Sequence, residues 1–228
     1  MTPEMKSRKL RAQKQDLIRT AIRDAAIELF ATKGFDDTTV EQIAQAAGVS
    51  RRSYFRYFES KDDLLAQNVV DYGKVLAATV KSCPSSMKPL QVMRQTVIAG
   101  VEHNLRSEIQ TREIIEISLR SASARQAHQS RMIDVEEWLA QAFAGRLKGG
   151  KKDRMKSRLL AGMTLALMHS ALTSWFFGET RDLKVAVEEV FNLLSLTLYE
   201  LQAANESGTK QVKGPRGRRS RSVSGVKA

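Results

Sequence analysis

The sequence predicts an all-α protein, with a three-helix N-terminal domain followed by a longer helical body. Three observations lead there. Apolar residues recur three and four positions apart along most of the 228-residue chain, no stretch alternates as a half-buried strand does, and only four prolines interrupt it. Hydrophobic content of 42% and charged content of 27% suit a globular chain with a sizeable core. No apolar run reaches the ~18 residues of a membrane span. The best attempt, at 159–177, is broken by His169, Ser170, Thr173 and Ser174, so no membrane partner is expected. The basic N-terminus lacks the apolar segment of a signal peptide, and a lone Cys83 supports neither a disulfide nor a cysteine zinc cluster. A cytoplasmic protein without metal or cofactor is expected.

The elements follow in order. A first helix at about 15–32 carries the apolar face Leu17-Ile18, Ala21-Ile22, Ala25-Ala26 and Leu29-Phe30, and Gly34 stops it. Thr39 with Gln42, or Thr38 with Glu41, makes a capping box for a short second helix ending at Ala47. Gly48 supplies a turn, Ser50 caps a third helix running to about 58, and Ser60 with Asp63 opens a long fourth helix towards 81. After the break at Cys83-Pro84-Ser85-Ser86, later helices are expected at 89–106, 111–121, 125–148, 151–177 and 183–203, with Gly149-Gly150 and Gly178 as stops. The domain boundaries read as a basic arm over 1–14, a three-helix unit over 15–62, a helical body over 63–204 and a disordered basic tail over 205–228.

Charge is unevenly placed. Of the net +12, residues 5–14 carry +5, residues 208–228 carry +7 and Glu4 carries −1, which leaves +1 on residues 15–207. Basic arms on a near-neutral body suit a polyanion, because each neutralised phosphate releases counterions. The basic stretch from Arg146 to Arg158 reads instead as a solvated loop and helix start.

Two short helices joined by a glycine turn let the second helix lie in the major groove of DNA. The small residues Ala44, Ala46 and Ala47 permit a close crossing, and Val49 plugs the space between the helices. The third helix then presents Ser50, Arg51, Arg52, Ser53 and Tyr54, where arginine is the commonest bidentate reader of guanine. Phe55 and Phe58 are expected to pack inward.

The strings AAIELFATKGF at 25–35, TTVEQIA at 38–44, AGVS at 47–50 and YFRYFESKDDLL at 54–65 together resemble the TetR/AcrR family of bacterial regulators. The match spans about the first quarter of the chain. It implies three N-terminal helices, a linking fourth, and a C-terminal domain for dimerisation and ligand binding. It also implies DNA contacts from Ser50, Arg51, Ser53, Tyr54, Tyr57 and Lys61, with Thr39 anchoring a phosphate. Two positions depart from the family pattern: Phe55 stands where tyrosine is usual, removing a hydroxyl, and Arg52 stands where a small residue is frequent, adding a base or phosphate contact.

In the body, Gly162, Ala166 and Ser170 are small residues at four-residue spacing, and Val187, Phe191 and Leu194 follow on the last helix. These two helices read as the homodimer bundle that the resemblance implies. His103, Trp138, Met163, His169 and Trp175 are the candidates for an effector pocket wall, since methionine adapts its shape and aromatic rings stack. The histidines and Cys83 lack metal-ligand spacing, and no phosphate loop, nucleophile elbow or zinc-protease motif appears, so catalysis is not expected. The expected function is a dimeric repressor on a palindromic operator, released by a small apolar or amphipathic effector. The alternative is a sequence-specific or architectural DNA-binding protein without a small-molecule switch.

Overall fold

The computed structural model describes residues 3–147 and 149–211, and among them it holds helices and no strand. Helix α1 (Pro3–Lys33) starts twelve residues before the expected 15. The apolar stripe begins only at Leu17 and Ile18, but residues 5–14 are mostly good helix formers that need no buried face, and they stand exposed. The described part of the basic arm is therefore the first turns of α1. Gly34 ends it at φ +99, a left-handed conformation that glycine adopts without strain, and its N–H reaches Phe30 O at 3.1 Å.

Helix α2 (Val40–Ala46) opens on the Thr39–Gln42 box: Gln42 N–H donates to Thr39 Oγ1 at 3.3 Å, and Thr39 N–H donates to Gln42 Oε1 at 3.0 Å. Thr38 is buried and donates to Gly34 O at 2.6 Å instead. Gly48, at φ +67, reverses the chain into α3 (Arg51–Tyr54), where Ser50 Oγ accepts from Ser53 N–H at 3.1 Å. The α-helix here is one turn long and relaxes into a tighter turn, with Arg56 N–H on Ser53 O and Tyr57 N–H on Tyr54 O. Ser60 caps α4 (Lys61–Ser82), accepting from Asp63 N–H at 3.0 Å.

The body comprises α5 (Pro89–Leu105), α6 (Glu108–Arg120), α7 (Ala122–Ala144), α8 (Lys151–Phe176) and α9 (Leu183–Gln211). Helix α4 packs along α7 and α5, and α8 packs on α7 and α5. Gly73 makes the α4–α7 approach possible, since a Cβ there would lie 2.6 Å from Val135 Cγ2. Residues Met1–Val187 form one compact unit and Glu188–Ala228 another, so α9 passes from the first into the second. Its helix continues to Gln211, past the expected tail start at 205; residues 212–228 of that tail lie outside the described residues. By length and composition alone, α8 could cross a membrane, contrary to the sequence expectation. It is a packed helix, however, burying Leu160, Ala161, Met168, Ala171 and Trp175.

The N-terminal core gathers Ile22, Phe30, Phe35, Ile43, Tyr54, Phe58, Leu64 and Leu65, each fully or almost fully buried. Burial of a single large apolar side chain of this kind contributes about 1.5–3 kcal/mol. Ile117 of α6 and Ala124 of α7 belong to the same cluster, so the body is built into the base of the N-terminal domain.

Candidate functional site

The exposed end of α3 is shaped by what lies under it. Tyr54 and Phe58, four residues apart, point into the core, and the Tyr54 hydroxyl donates to Ser60 O at 2.9 Å. Burial, reinforced by Asp63 and Asp62, holds that phenol protonated well above its usual range. Tyr54 is thus a buried support beneath α3 and not the outward side chain that the sequence predicts. Phe55 is corrected in the other direction: it is exposed, with the Arg51 guanidinium 5.4 Å over its ring. The cause is the early end of α3, which shifts the inward positions from 55 and 58 to 54 and 58.

What remains outward is polar and cationic. Thr39, Ser50, Arg51 and Arg52 are exposed, and Ser53 and Tyr57 are half-buried. Arg51 meets Glu41 at 2.8 Å, a pair in which both side chains stay more than half exposed. Such a pair is worth little in water and yields readily to a stronger anion. Arg56, which the sequence reading did not single out, lies 5.4 Å over the Tyr57 ring and is exposed beside this surface.

Lys61 is committed elsewhere. Its ammonium donates to Phe35 O (2.6 Å), Asp36 O (3.0 Å) and Thr38 O (3.1 Å), and lies 4.7 Å over the Phe35 ring. All three donors are used, so this residue ties α4 to the α1–α2 loop, a positioning role that the sequence reading did not foresee.

A second site lies in the body, inside the first compact unit. A half-open cavity of about 360 Å³ is lined by residues of α4, α5, α6, α7 and α8, together with Arg23 from α1. That volume is at the lower end of the range for small-molecule sites. Its apolar wall includes Val69, Ile114, Met132, Leu165, Met168 and Leu172. Among the described residues, the buried side-chain atoms without a hydrogen-bond partner are Arg23 Nε, Asn68 Nδ2, Tyr72 Oη, His103 Nδ1 and His128 Nδ1. All five residues line this one cavity. A buried polar atom left unsatisfied costs about 1–3 kcal/mol, and these five converge on one cavity.

The protonation states follow from burial. Desolvation pushes the Tyr72 phenol far up, so it remains a donor. Burial first, then Arg106 and Arg23 against an opposing Asp71, lowers the His103 pKa. Burial, then His169, lowers that of His128. Both imidazoles are neutral at pH 7 and offer one donor and one acceptor each.

Of the pocket residues named from sequence, His103 and His169 line the cavity, and Trp138, Met163 and Trp175 do not. Trp138 packs against Gly73 on α4, and Trp175 is buried with Arg112 stacked 3.8 Å over its ring. Met163 lies half-buried on α8, away from this lining. Large rings were better used where helices cross. Of the interface residues, Ala166 and Ser170 are exposed and Gly162, Phe191 and Leu194 half-buried, but Val187 is 2% exposed and belongs to the core of the chain itself.

Polar contacts join the cavity region to the N-terminal domain. Gln110 donates to Asp24 at 3.0 Å, Ser121 donates to Asp36 at 2.8 Å, and Arg131 lies 3.7 Å from Asp63. Hydrogen bonds from Ser121 and Ser123 hold the Asp36 carboxyl below its usual range.

Fold and site together define a helix-turn-helix regulator with a helical ligand-binding body. The sequence model of the bacterial tetR-family regulatory proteins matches residues 22–67, and that of the MftR C-terminal domain matches residues 87–198. The chain belongs to the TetR family of transcriptional regulators. It is 27% identical to the transcriptional regulator MftR of Mycobacterium tuberculosis, over 79% of this chain and 90% of that one. It is also 27% identical to the regulator TcmR of Streptomyces glaucescens, over 86% and 89%. The solved structure of NalD, the secondary repressor of the MexAB-OprM efflux pump in Pseudomonas aeruginosa, shares the fold. There the TM-score is 0.51 and the identity 24%, covering 79% of this chain and 96% of NalD.

Proposed function

We propose that the chain is a non-enzymatic, cytoplasmic homodimeric repressor that binds a palindromic operator through residues 50–58 and releases it when a small amphipathic effector fills the cavity. The observation that carries this reading is the double use of α1. Ile22, Ala26, Ile27 and Phe30 build the core beneath the DNA-facing surface, while Arg23 of the same helix lines the cavity. A guest that draws on Arg23 acts directly on the element that supports the reading surface. Repression as the sign of control is supported by the likeness to NalD.

The DNA contacts in this proposal are Thr39, Ser50, Arg51, Arg52, Ser53 and Tyr57, with Arg56 added for its exposure. The dimer is proposed through the outward faces of α8 and α9. Met155 and Leu159 on α8, and Leu193, Leu196 and Tyr199 on α9, are exposed apolar side chains of the kind that mark association surfaces.

The test is to select the operator from a random DNA library and then follow its binding by anisotropy as cavity ligands are added. Selection of an inverted repeat, with release by a ligand that a Leu172→Trp filling of the cavity blocks, is the expected result. Tight binding that no cavity ligand alters would favour a DNA-binding protein without a switch.

A further inference from the structure

We infer that the guest of this cavity is an amphipathic organic anion, its carboxylate or equivalent acid group held by Arg23. The inference rests on the effector reading and sharpens it to a chemical class. Among the residues that line the cavity are two guanidinium groups, Arg23 and Arg106, and no aspartate or glutamate. The lining imidazoles of His103 and His128 are neutral and do not offset that charge. Nearby carboxylates are engaged outside it: Asp71 accepts from Lys74 and Gln67, each at 3.2 Å, and Asp24 accepts from Gln110.

Arg23 is the better anchor of the two. Its Nε is buried and without a hydrogen bond, and its ion pair with Asp24 spans 3.8 Å, beyond hydrogen-bond reach. Arg106 is exposed and screens the approach. Around an acid group at Arg23, the Tyr72 hydroxyl and Asn68 amide supply the neutral donors a carboxylate also accepts, while Leu165, Met168 and Leu172 face the apolar remainder. A charge-assisted pair is the strong kind of hydrogen bond, so the acid group should dominate selection.

The test uses three ligands of one shape and different charge: 2-naphthoate, 2-naphthylmethanol and 2-naphthylmethylammonium, titrated calorimetrically into the full-length protein. The naphthoate should bind roughly tenfold or more tightly than the alcohol, and the ammonium weakest. Arg23→Gln should erase that preference without weakening the alcohol, and Arg23→Lys should restore part of it. Circular dichroism confirms that each variant is folded, and Arg106→Gln provides a second charge deletion, expected to weaken naphthoate less. Equal binding of acid and alcohol, or a preference that survives Arg23→Gln, overturns the charge assignment. In that case the effector reading stands, provided Leu172→Trp abolishes binding and the bound ligand releases DNA. If none of the three binds, or binding ignores Leu172→Trp, the anion proposal and the use of this cavity fall together.

Discussion

At the level of single residues, the outward arginines are separable from the buried groups that hold them. Arg51 and Arg52 stand exposed over a support made by Tyr54 and Phe58, so Arg51→Ala or Arg52→Ala should leave the fold intact. Either change should cost operator affinity about 1–3 kcal/mol if that arginine reads a base, and a double variant with unchanged affinity refutes the assignment. Caps such as Thr39–Gln42 and Ser50 were legible in the sequence because a cap joins residues three apart. Tyr54 and Phe55 were not, because extending one helical period over 50–58 misses the change of pitch after Tyr54. The cavity residues Arg23, Tyr72 and His128 meet only in three dimensions, from α1, α4 and α7, and carry no local signature. The histidines also set an acid limit. Their folded pKa values are depressed, so the unfolded chain, at about 6.5, takes up protons first as pH falls. Their contribution to stability is complete above that value and is lost as pH drops below it. His128→Asn should therefore make the fall of Tm below about pH 6.5 shallower than in the wild type. A parallel fall in both proteins shows that His128 contributes nothing.

At the level of helices, boundaries set by glycine were legible and boundaries set by exposure were not. Gly34 and Gly48 stop helices through positive φ, which the residue type announces. Exposed residues 5–14 bury no apolar stripe, and residues 205–211 at the end of α9 include no apolar residue, so periodicity has nothing to register there. Helical order in α1 gives its cations a rigid arrangement, with Lys6, Arg8, Lys9 and Arg11 on exposed turns ahead of the core. Deleting residues 1–13 should flatten the salt dependence of DNA binding by a log–log slope of about 0.9 for each phosphate that these cations neutralise. Equal slopes for the truncated and full chains exclude DNA binding by these turns. Where α4 crosses α7 the limit is steric. A Cβ at Gly73 would meet Val135 at 2.6 Å and the Trp138 ring at 3.2 Å, side chains packed within the body. Gly73→Ala should destabilise by about 1–3 kcal/mol through overpacking, despite alanine's better helix propensity. A denaturation midpoint equal to or above wild type would show that the crossing has slack.

At the level of the whole molecule, the geometry of one protomer sets the demand for two. The described reading surface is a single short helix and its turn, enough for a few base pairs. A two-fold pair doubles that length and fixes half-sites about one helical turn, or a simple multiple, apart. The outward face of α8 offers Met155, Leu159, Ala166 and Ser170, with Gly162 between them where two helices can approach closely. Gly162 is also a position where the protomer itself tolerates bulk, since the nearest atom to an added Cβ is Glu136 Oε1 at 3.8 Å. Arginine there gains about 0.8–1 kcal/mol of helix propensity over glycine, so the variant should stay helical. Between copies the same side chain places two like charges near a symmetry axis and wedges the helices apart. Gly162→Arg should therefore halve the mass measured by light scattering and lower operator affinity in parallel, with an unchanged helical spectrum. A wild-type mass near the 25.5 kDa of one chain refutes the dimer. A Gly162→Arg protein that remains dimeric places the interface elsewhere.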